Sequence, residues 1–342
     1  MKSGISIMFP SMTRPQRAKF IKLTLCVIVS AGCLYLAARG IDFERTLEEL
    51  KKSSPAPVAG AVFFLFISYW IRAYRWHYLL LPIRKISVYP LFRSTLIGFM
   101  GNYLLPFRAG EVMRAVSVGQ TQNISKAGAL GSIVLERGFD GLVISLTPLL
   151  VLVAIDLPNW VVQINLAFLA LYGMGLAALA IATQRGWTEG WITWTAGRLP
   201  VRLSRAVKSI STEFLQGMKG INHHGALLPV ILLSFACWFF HGLYFFLIFS
   251  ALQIELSLSA ALVLQTIIGI GVILPAAPGY VGNFEYFTVL ALGLFGVSQE
   301  VAFAYALLAH ICQIIPVTAV GLFFAIRSGF QSQVEAARTQ AG

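Results

Sequence analysis

The sequence predicts an all-α polytopic membrane protein, and its composition, its long apolar runs and the spread of its basic residues support that fold class. Of its 342 residues, 57% are hydrophobic and only 12% are charged, whereas a soluble domain is about a quarter charged. The formal net charge is +12, but the basic residues lie in short segments between apolar runs. That distribution is typical of membrane topology signals, so we expect no nucleic-acid partner.

Six apolar runs are long enough to cross a bilayer, because about 20 helical residues span its hydrocarbon core. We expect these spans at about residues 23–38, 58–81, 125–157, 161–183, 226–252 and 301–326. Lys and Arg are concentrated in the basic tail at 1–22, the loop at 82–93 and an amphipathic segment at about 184–225. Since such residues favour the cytoplasmic side, both ends of the chain, including the tail at 328–342, are predicted to be cytoplasmic.

The second span ends among basic and aromatic residues. It carries Arg72 and Arg75 near its end, and Arg84, Lys85 and Arg93 follow in the next loop. We interpret these residues as topology signals. The aromatic residues of this region indicate a belt at the membrane interface, where amphipathic rings are favoured: Tyr69, Trp70, Tyr74 and Trp76.

Two further apolar stretches are predicted to be re-entrant hairpins. The first, at about 90–115, starts and ends on the cytoplasmic side, and the second, at about 258–297, lies between turns on the outer side. Together they would form an inverted repeat, a plan common in transporters whose binding site lies near the midplane. The alternative is that both are ordinary spans interrupted by Pro and Gly, which would give eight or more crossings.

Both stretches are interrupted by the same residue types. GNYLLPFRAGEVMRA at 101–115 and GVILPAAPGYVGNFEYF at 271–287 combine prolines, which stop helices, with glycines, which permit tight turns and close backbone approach. Backbone groups freed inside a bilayer must be satisfied by protein or by a wet cavity. We therefore predict that the following residues form gates around a polar cavity: Asn102, Pro106, Gly110, Pro275, Pro278, Gly279, Gly282 and Asn283.

Charged residues beside the first break predict a substrate-binding network. Arg108, Glu111 and Arg114 are three residues apart, so Glu111 could bridge both arginines on one helix face. An unpaired charge at bilayer depth costs about 2.5–3.5 kcal/mol on insertion scales, and the planar guanidinium suits phosphate oxygens. The alternative is that Arg108 and Arg114 snorkel to the cytoplasmic interface.

Acidic residues further along the chain are the expected partners of these arginines. Glu136 and Asp140 share one face of the next helix, with Arg137 beside them. Glu285 has no cation nearby in sequence, so it is either paired at a distance, with Arg108 or Arg114 as candidates, or protonated. The alternative for Glu136 is a position too close to the surface to matter.

Other polar residues complete the candidate site. His310 and Gln313, three residues apart in the last span, are candidates for the wall of the cavity. The four cysteines lie in apolar segments without metal-ligand spacing, so no metal is expected. The sequence shows no nucleotide-binding, metalloprotease or hydrolase motif, and no polar segment is as large as a catalytic domain. We therefore expect no cofactor, no catalytic residue and no enzymatic activity.

Three motifs resemble a known family. GNYLLPFRAGEVMRA, LERGFDG at 135–141 and PAAPGYVGNFE at 275–285 are similar to signatures of the flippase-like family, also called the lysylphosphatidylglycerol synthase transmembrane region. The resemblance covers roughly residues 20–327. It implies a multi-pass protein of the bacterial inner plasma membrane, or of an archaeal membrane, that moves or helps to move a polar-headed lipid between leaflets.

The same resemblance leaves the substrate open. In the two-part synthases of the family an aminoacyl-transferase domain follows the membrane region, and this chain ends at Gly342 without one. We therefore expect a stand-alone member. Relatives of that kind are linked to varied lipids, so the lipid, the energy source and the oligomeric state stay open.

Two functions are carried forward. The first is a lipid flippase or transporter, in which the arginines take an anionic head group and the broken helices act as gates. The second is a non-transporting membrane partner of a glycosyltransferase or phospholipid-synthesis enzyme, with the segment at about 184–225 as its docking surface. An intramembrane enzyme acting on lipid phosphate has less support, because no nucleophile lies beside a base.

Overall fold

The computed structural model describes residues 14–222 and 225–341, and every regular element in that part of the chain is helical. This confirms the prediction of an all-α protein. Positions 1–13 of the predicted basic tail lie outside the described residues. The helices are α1 (Arg14–Ala38), α2 (Phe43–Lys51), α3 (Pro55–Leu80), α4 (Val88–Leu104), α5 (Ala109–Gln122), α6 (Lys126–Leu150), α7 (Asn159–Gln184), α8 (Trp187–Ala196), α9 (Val201–Met218), α10 (Leu227–Ala251), α11 (Leu258–Gly271), α12 (Asn283–Gly293) and α13 (Gln299–Ala341).

Local sequence signals explain several helix boundaries. The Asp42 carboxylate caps α2 by accepting from Glu44 N at 2.9 Å. Pro55 is the first residue of α3, a position where proline is favoured because its missing N–H has no helical partner. Ser125 caps α6 by accepting from Gly128 N at 3.1 Å, as hydroxyl side chains commonly do.

Four helices among the described residues are long and apolar enough to cross a bilayer, namely α3, α7, α10 and the Gln299–Gly329 part of α13. A fifth span results if α1 and α2, bent by 83° at a short break, count as one. The helix α6 has 25 residues, as α10 does, but it carries Glu136, Arg137 and Asp140 near its middle. The six predicted spans thus correspond to α1, α3, α6, α7, α10 and α13.

The ends of the long helices gather at two faces. At the first face, Arg84 Nη1 donates to Gln122 O (2.6 Å) and Ser125 Oγ donates to Glu213 Oε2 (2.5 Å). These bonds join the α3–α4 connection to the α5–α6 connection, and α6 to α9. We call this surface the basic face and define it as residues 80–88, 122–126 and 184–222.

The opposite face holds the other ends of the same helices. The start of α3 meets the end of α10, where Ser54 N donates to Ala251 O at 2.9 Å. The start of α13 lies beside the end of α1, because Gln299 Nε2 donates to Ala37 O at 3.3 Å. Successive long helices therefore run in alternate directions between the two faces.

Two pairs of short helices differ from these spans. The first hairpin consists of α4 and α5, joined at residues 105–108, and the second consists of α11 and α12, joined at residues 272–282. At about 1.5 Å per residue, the 17 residues of α4 and the 14 residues of α5 and of α11 fall short of the roughly 30 Å hydrocarbon core. The lengths favour the re-entrant interpretation over additional full crossings.

Close packing holds α4 against α5. Ser94 Oγ lies 3.0 Å from Ser117 Oγ, and a Cβ atom on Gly110 would lie only 1.8 Å from Gly98 O. These contacts show an antiparallel pair that begins and ends at the basic face. The second hairpin begins and ends at the opposite face, and it lies within an apolar core formed by α3, α4 and α10–α13, which shields its backbone as a bilayer requires.

Candidate functional site

The two hairpins meet at their tips. We call residues 105–108 the first tip and residues 272–282 the second tip. Arg108 Nη2 donates to Val272 O at 2.8 Å, and the Arg108 guanidinium lies 6.0 Å from the centre of the Tyr280 ring. The Tyr103 and Tyr280 rings form an edge contact at 6.4 Å. Two incomplete helices from opposite faces are thus in direct contact.

Both tips contain consecutive residues in the left-handed conformation. In the first tip φ is +61° at Phe107 and +52° at Arg108, and in the second it is +72° at Gly279 and +61° at Tyr280. For a residue with a side chain this conformation costs about 1–3 kcal/mol and persists only where the surroundings enforce it. Asn123 and Gln253, outside the tips, also take this conformation, but within the described part of the chain only the tips hold two such residues in succession.

A cavity of about 370 Å³ lies between the two tips and α1. Arg108 is the one charged side chain among its described lining residues, and Asn102 and Tyr280 add polar groups. The remaining wall is apolar: Leu25, Cys26, Leu105, Phe107, Val272, Ile273, Leu274, Pro275, Ala276 and Ala277. We call this space the tip cavity. Its chemistry suits a molecule with one anionic group and apolar chains.

A second polar feature is a network of buried charges between α3, α5 and α6. Arg114 Nη1 and Nη2 donate to the two oxygens of Glu136, each at 2.9 Å. Asp140 Oδ2 lies 2.7 Å from Arg72 Nη1, and Asp140 Oδ1 lies 2.8 Å from Arg75 Nη1. Each of these five side chains is 5% exposed or less. We call this set, with Arg137 and Glu111 at its edge, the charge network.

Tryptophans close the network from outside. The Arg114 guanidinium lies 3.8 Å from the centre of the Trp76 ring, and Trp238 Nε1 donates to Asp140 Oδ1 at 2.9 Å. Glu136 follows Lys126, the first residue of α6, by ten positions, which places it about 15 Å along the helix from the basic face. The interpretation of Glu136 as a surface residue therefore does not hold.

The edge of the network is less buried. Arg137 Nε lies 3.3 Å from Glu111 Oε1, and Arg137 Nη1 lies 3.0 Å from Asp140 Oδ2. The side chains of Arg137 and Glu111 are 31% and 22% exposed. Tyr280 in the second tip is within electrostatic range of Arg108, Arg137 and Glu111. The edge of the network therefore approaches the tip cavity.

The network carries more positive than negative charge. It contains four arginines and three carboxylates, a formal excess of one positive charge. The Nε atoms of Arg72, Arg75 and Arg114 have no hydrogen-bond partner among the described residues. Because buried charges are screened much less than exposed ones, this formal excess is only weakly screened.

The pairing differs from the expected one in three respects. Arg108 does not bind a carboxylate, because its left-handed backbone turns the side chain to the second tip and Val272 O. Arg114 does not snorkel to the interface; it binds Glu136. Glu111 bridges no pair of arginines on its own helix, since it faces Arg137 on α6.

Glu285 has a partner from a distant part of the sequence. Its Oε1 lies 2.5 Å from His310 Nδ1, and its Oε2 accepts from Gly282 N at 2.6 Å. His310 Nε2 lies 2.7 Å from Gly279 O. Gln313, predicted beside His310, donates from Nε2 to Tyr103 Oη at 2.8 Å. Helix α13 thus contacts the second tip through His310 and the first hairpin through Gln313.

The residues predicted as gates lie at or beside the tips. Pro106 lies within the first tip, Pro275 lines the tip cavity, and Pro278 begins a short 3-10 turn. Gly282 approaches α1 so closely that a Cβ atom would lie 2.0 Å from Ser30 O. Asn283 Nδ2 donates to Gly271 O at 3.3 Å, a carbonyl that also accepts from Leu274 N, so Asn283 links the start of α12 to the end of α11.

Three other predicted gate residues differ in environment. Gly279 takes the left-handed turn described above, whereas Gly110 lies within α5 and serves close helix packing. Asn102 lines the tip cavity, but its Oδ1 atom is buried without a hydrogen-bond partner among the described residues. That oxygen lies against α5, since a Cβ atom on Gly110 would be 2.7 Å from it, so it belongs to the α4–α5 packing and not to the cavity surface.

Sequence reasoning missed Arg72 and Arg75 as members of the network. It also placed Tyr69 and Trp76 in an interfacial belt, whereas both are buried and only Trp70 and Tyr74 of that set are substantially exposed. The available signal was spacing. Tyr69, Arg72 and Trp76 recur at the i, i+3, i+7 interval of one helix face, which points that face into the protein.

Comparison with known proteins identifies the family of this chain. The model of the lysylphosphatidylglycerol synthase TM region matches residues 23–321. The chain belongs to this family. The matched range contains both hairpins, the tip cavity and the whole charge network, so these features lie in the family's membrane region.

Curated relatives are archaeal. Two UPF0104 membrane proteins of Methanothermobacter thermautotrophicus are similar to this chain. One is 26% identical over 297 residues, covering 80% of this chain and 86% of the relative, and the other is 27% identical over 267 residues, covering 74% and 78%. Glycosyltransferase AglD of Haloferax volcanii is 24% identical over 332 residues, which cover 87% of this chain and 53% of that protein. This chain thus spans about half the length of AglD.

Proposed function

We propose that this membrane protein moves a lipid with an anionic head group between the two leaflets, and that the tip cavity is its head-group site. The observation that carries the proposal is a cavity between two opposed half-helix tips with Arg108 as the one charged side chain of its described wall. Binding sites near the midplane between broken helices are typical of transporters with inverted repeats.

Arg108 is suited to exchange one partner for another. Among the described residues its guanidinium donates one hydrogen bond, to the neutral carbonyl of Val272. A phosphate group accepts charge-assisted, bidentate bonds that are roughly twice as strong as a neutral one. An anionic head group therefore competes with Val272 O for Arg108, and its binding separates the two tips that this bond holds together.

The apolar residues of the tips fit the rest of a lipid. Leu104, Leu105 and Phe107 at the first hairpin and Ile273 and Leu274 at the second are 41–53% exposed. Acyl chains that follow these side chains stay in an apolar environment while the head group occupies the cavity. The charge network is the fixed part, because its mutual pairs keep α3, α5 and α6 together while the tips separate.

The basic face is proposed to be cytoplasmic, with both chain ends on that side of a plasma membrane, because Lys and Arg favour the cytoplasmic side. A membrane-impermeant amine reagent applied to right-side-out cells tests this orientation. It is expected to leave Lys85 and Lys126 unmodified and to modify Lys51 and Lys52. The opposite pattern would invert the topology.

Lipid movement is tested with the purified chain in liposomes. Fluorescent phosphatidylglycerol and phosphatidylcholine are compared by dithionite quenching of the outer leaflet. The wild type is expected to move the anionic lipid faster than the zwitterionic one, and Arg108→Ala is expected to lower the anionic rate by about tenfold or more, the loss of roughly one charge-assisted bond. Arg108→Lys should retain part of the rate, because a point charge binds phosphate without the planar fork.

Arg84→Ala is the matched control for this experiment. Arg84 also donates to one backbone carbonyl, that of Gln122, but it lies exposed on the basic face away from the tip cavity. The proposal is supported if Arg84→Ala moves the anionic lipid at the wild-type rate while Arg108→Ala moves it more slowly. Equal rates in Arg108→Ala and the wild type contradict it, provided that both variants elute as folded protein.

The second candidate is a membrane partner of a lipid-modifying enzyme. The similarity to glycosyltransferase AglD favours it, as does a row of exposed tryptophans at the basic face: Trp187, Trp191 and Trp194. Failure of the wild type to move any of the lipids tested, together with stable co-purification of a glycosyltransferase or phospholipid-synthesis enzyme, would favour this function over transport.

A further inference from the structure

Both ring nitrogens of His310 face hydrogen-bond acceptors. Nδ1 lies 2.5 Å from Glu285 Oε1, and Nε2 lies 2.7 Å from Gly279 O. The second oxygen of Glu285 is engaged as well, since it accepts from Gly282 N at 2.6 Å. His310 and Glu285 are 5% and 3% exposed. The pair is therefore buried and connected to the second tip at two points.

Counting hydrogens shows that this arrangement requires one proton more than a neutral histidine beside a carboxylate. A backbone carbonyl only accepts, so Nε2 must carry hydrogen. The Nδ1–Oε1 contact needs a further hydrogen between the two atoms. That proton resides either on His310, as an imidazolium, or on Glu285, as a carboxylic acid, and both forms make the same hydrogen bonds.

We infer that Glu285 and His310 form a proton-binding site that locks the second tip and that loss of this proton releases it. The inference rests on the proposed function for its role in transport, where it identifies the proton as the ion that controls the gate. A neutral His310 beside an ionised Glu285 has one ring hydrogen for two acceptors. Either the bond to Glu285 or the bond to Gly279 O must then break.

The bond to Gly279 O is the one expected to break, because a bond to an ionised carboxylate is stronger than one to a neutral carbonyl, and its loss acts directly on the head-group site. Gly279 and Tyr280 hold consecutive left-handed conformations, and the bond from His310 to Gly279 O is one of the contacts that enforces them. Tyr280 contacts Arg108 and lines the tip cavity. Transfer of the proton to water therefore loosens the residue against which Arg108 rests, and rebinding of the proton restores the closed tip.

The surroundings contain no competing carboxylate or amine at this depth among the described residues. Phe284 stacks on the His310 ring at 4.2 Å, a contact that favours a cationic ring. His241 on α10 stacks on Tyr244 and Phe245 and lies close to Gln313, three residues after His310 on α13. The other titratable side chains near His310 are phenols and a thiol, which are neutral near pH 7: Tyr69, Tyr103, Tyr244, Tyr280 and Cys312.

Glu285→Gln is the variant that separates the proton from the hydrogen bonds. The amide nitrogen can donate to His310 Nδ1, and the amide oxygen can accept from Gly282 N. All three hydrogen bonds then persist without a titratable proton. The variant is expected to fold and to keep the second tip closed at every pH, whereas the wild type closes only when the pair is protonated.

Tip opening can be measured without any lipid movement. Ala276→Cys, a half-buried position in the second tip, is labelled with a maleimide in liposomes at pH 6 and pH 9, with and without Glu285→Gln. The parent chain is labelled in parallel, because Cys26 lines the same cavity. The Glu285→Gln background reports the ordinary effect of pH on the thiol. From pH 6 to pH 9, the labelling rate with native Glu285 is expected to rise about threefold or more beyond the rise seen in the Glu285→Gln background, because local opening exposes the thiol.

An equal pH dependence in the two backgrounds overturns the inference. If the cysteine variant does not fold, nitrogen-15 NMR of histidine-labelled wild type provides the second measurement. One histidine signal, absent in His310→Gln, is expected to change between pH 6 and pH 9 in the wild type and to stay constant in Glu285→Gln. A His310 signal that is constant in the wild type also overturns it. Neither measurement requires transport, so failure of the proposed function would be recognised separately.

Discussion

The charge network and the tip cavity both use arginine inside the protein, but they use it in opposite ways. In the network, Arg72, Arg75 and Arg114 each lie against a carboxylate at 2.7–2.9 Å and are almost fully buried. At the tips, Arg108 faces a neutral carbonyl and a cavity. The network arginines are paired and buried, whereas Arg108 lines a cavity and has no carboxylate partner among the described residues.

The difference follows from the cost of removing charge from water. A buried ion loses several kcal/mol of hydration, which only well-placed opposite charges offset. A paired arginine is therefore a permanent structural element. An arginine that is half-buried and bound to one carbonyl keeps part of its hydration, so a phosphate can replace its partner at small cost. Depth alone therefore does not distinguish a structural arginine from one that is proposed to bind a ligand; a position at a cavity without a carboxylate partner does.

The largest expected effect comes from breaking the network. Glu136→Gln removes the carboxylate that Arg114 binds with two bonds and leaves buried cations without compensation. We expect a loss of about 3–5 kcal/mol in stability, the usual cost of removing one partner from a buried pair. Thermal unfolding in detergent measures it.

Glu189→Gln is the matched control for that variant. Its ion pair with Lys219, at 2.9 Å, has side chains 62% and 42% exposed, and such surface pairs contribute about 0–1 kcal/mol. If both variants unfold at the same temperature, the charge network is not a structural element and the contrast with the tip cavity fails.

A smaller loss of stability is expected from disturbing the close backbone contacts of the hairpins, between α4 and α5 in the first and between the second tip and α1 in the second. Gly110→Ala places a methyl group 1.8 Å from Gly98 O, and Gly282→Ala places one 2.0 Å from Ser30 O. Each should cost about 1–3 kcal/mol through overpacking. Gly173→Ala on α7, where nothing lies within 4 Å, should leave the unfolding temperature unchanged or raise it slightly.

Comparable losses at Gly110 and Gly282 would sharpen the view that two equivalent hairpins support one site. A loss at Gly110 alone would mean that only the first hairpin is firmly packed. Unchanged stability in both variants would show that neither hairpin depends on close backbone contact.

The smallest effect on stability is expected at Arg108. Arg108→Ala removes one hydrogen bond, worth about 0.5–1.5 kcal/mol, so its unfolding temperature should lie close to that of the wild type although lipid movement is lost. Arg114→Ala, measured beside it, should unfold at a clearly lower temperature. A reversal of this order would remove the distinction between a structural and a ligand-binding arginine.

Much of the architecture could be predicted from the sequence because it depends on local pattern. Apolar runs of about 16 residues or more predicted the long helices, and Pro106 together with the Pro and Gly residues at 275–282 marked the two breaks. Arg114, Glu136 and Asp140 were identified as network members, because charge within apolar segments needs partners. The transporting role, the inverted repeat and the topology stay predictions.

The partners could not be predicted in the same way. Arg72 and Arg75 lie more than 60 residues from Glu136 and Asp140, and Glu285 lies 25 residues from His310. Several arginine–carboxylate pairings would neutralise the same charges. The spacing of residues along one helix does not show which neighbouring helix their side chains face. Arg108 was assigned to a carboxylate because charges at bilayer depth are expected to pair. The left-handed backbone that turns its side chain elsewhere has no clear signal in the sequence FRAG at 107–110.

The sequence by itself determined that this chain is a helical membrane protein with two interrupted segments, since hydropathy and helix-breaking residues act over a few turns of chain. Only the tertiary structure decided which arginine is buried among carboxylates and which faces a cavity. That choice depends on the rotation and depth of each helix, which are set by contacts such as Gly110 against Gly98 and Gly282 against Ser30. The packing of distant segments therefore separates the structural charges from the charge available to a ligand.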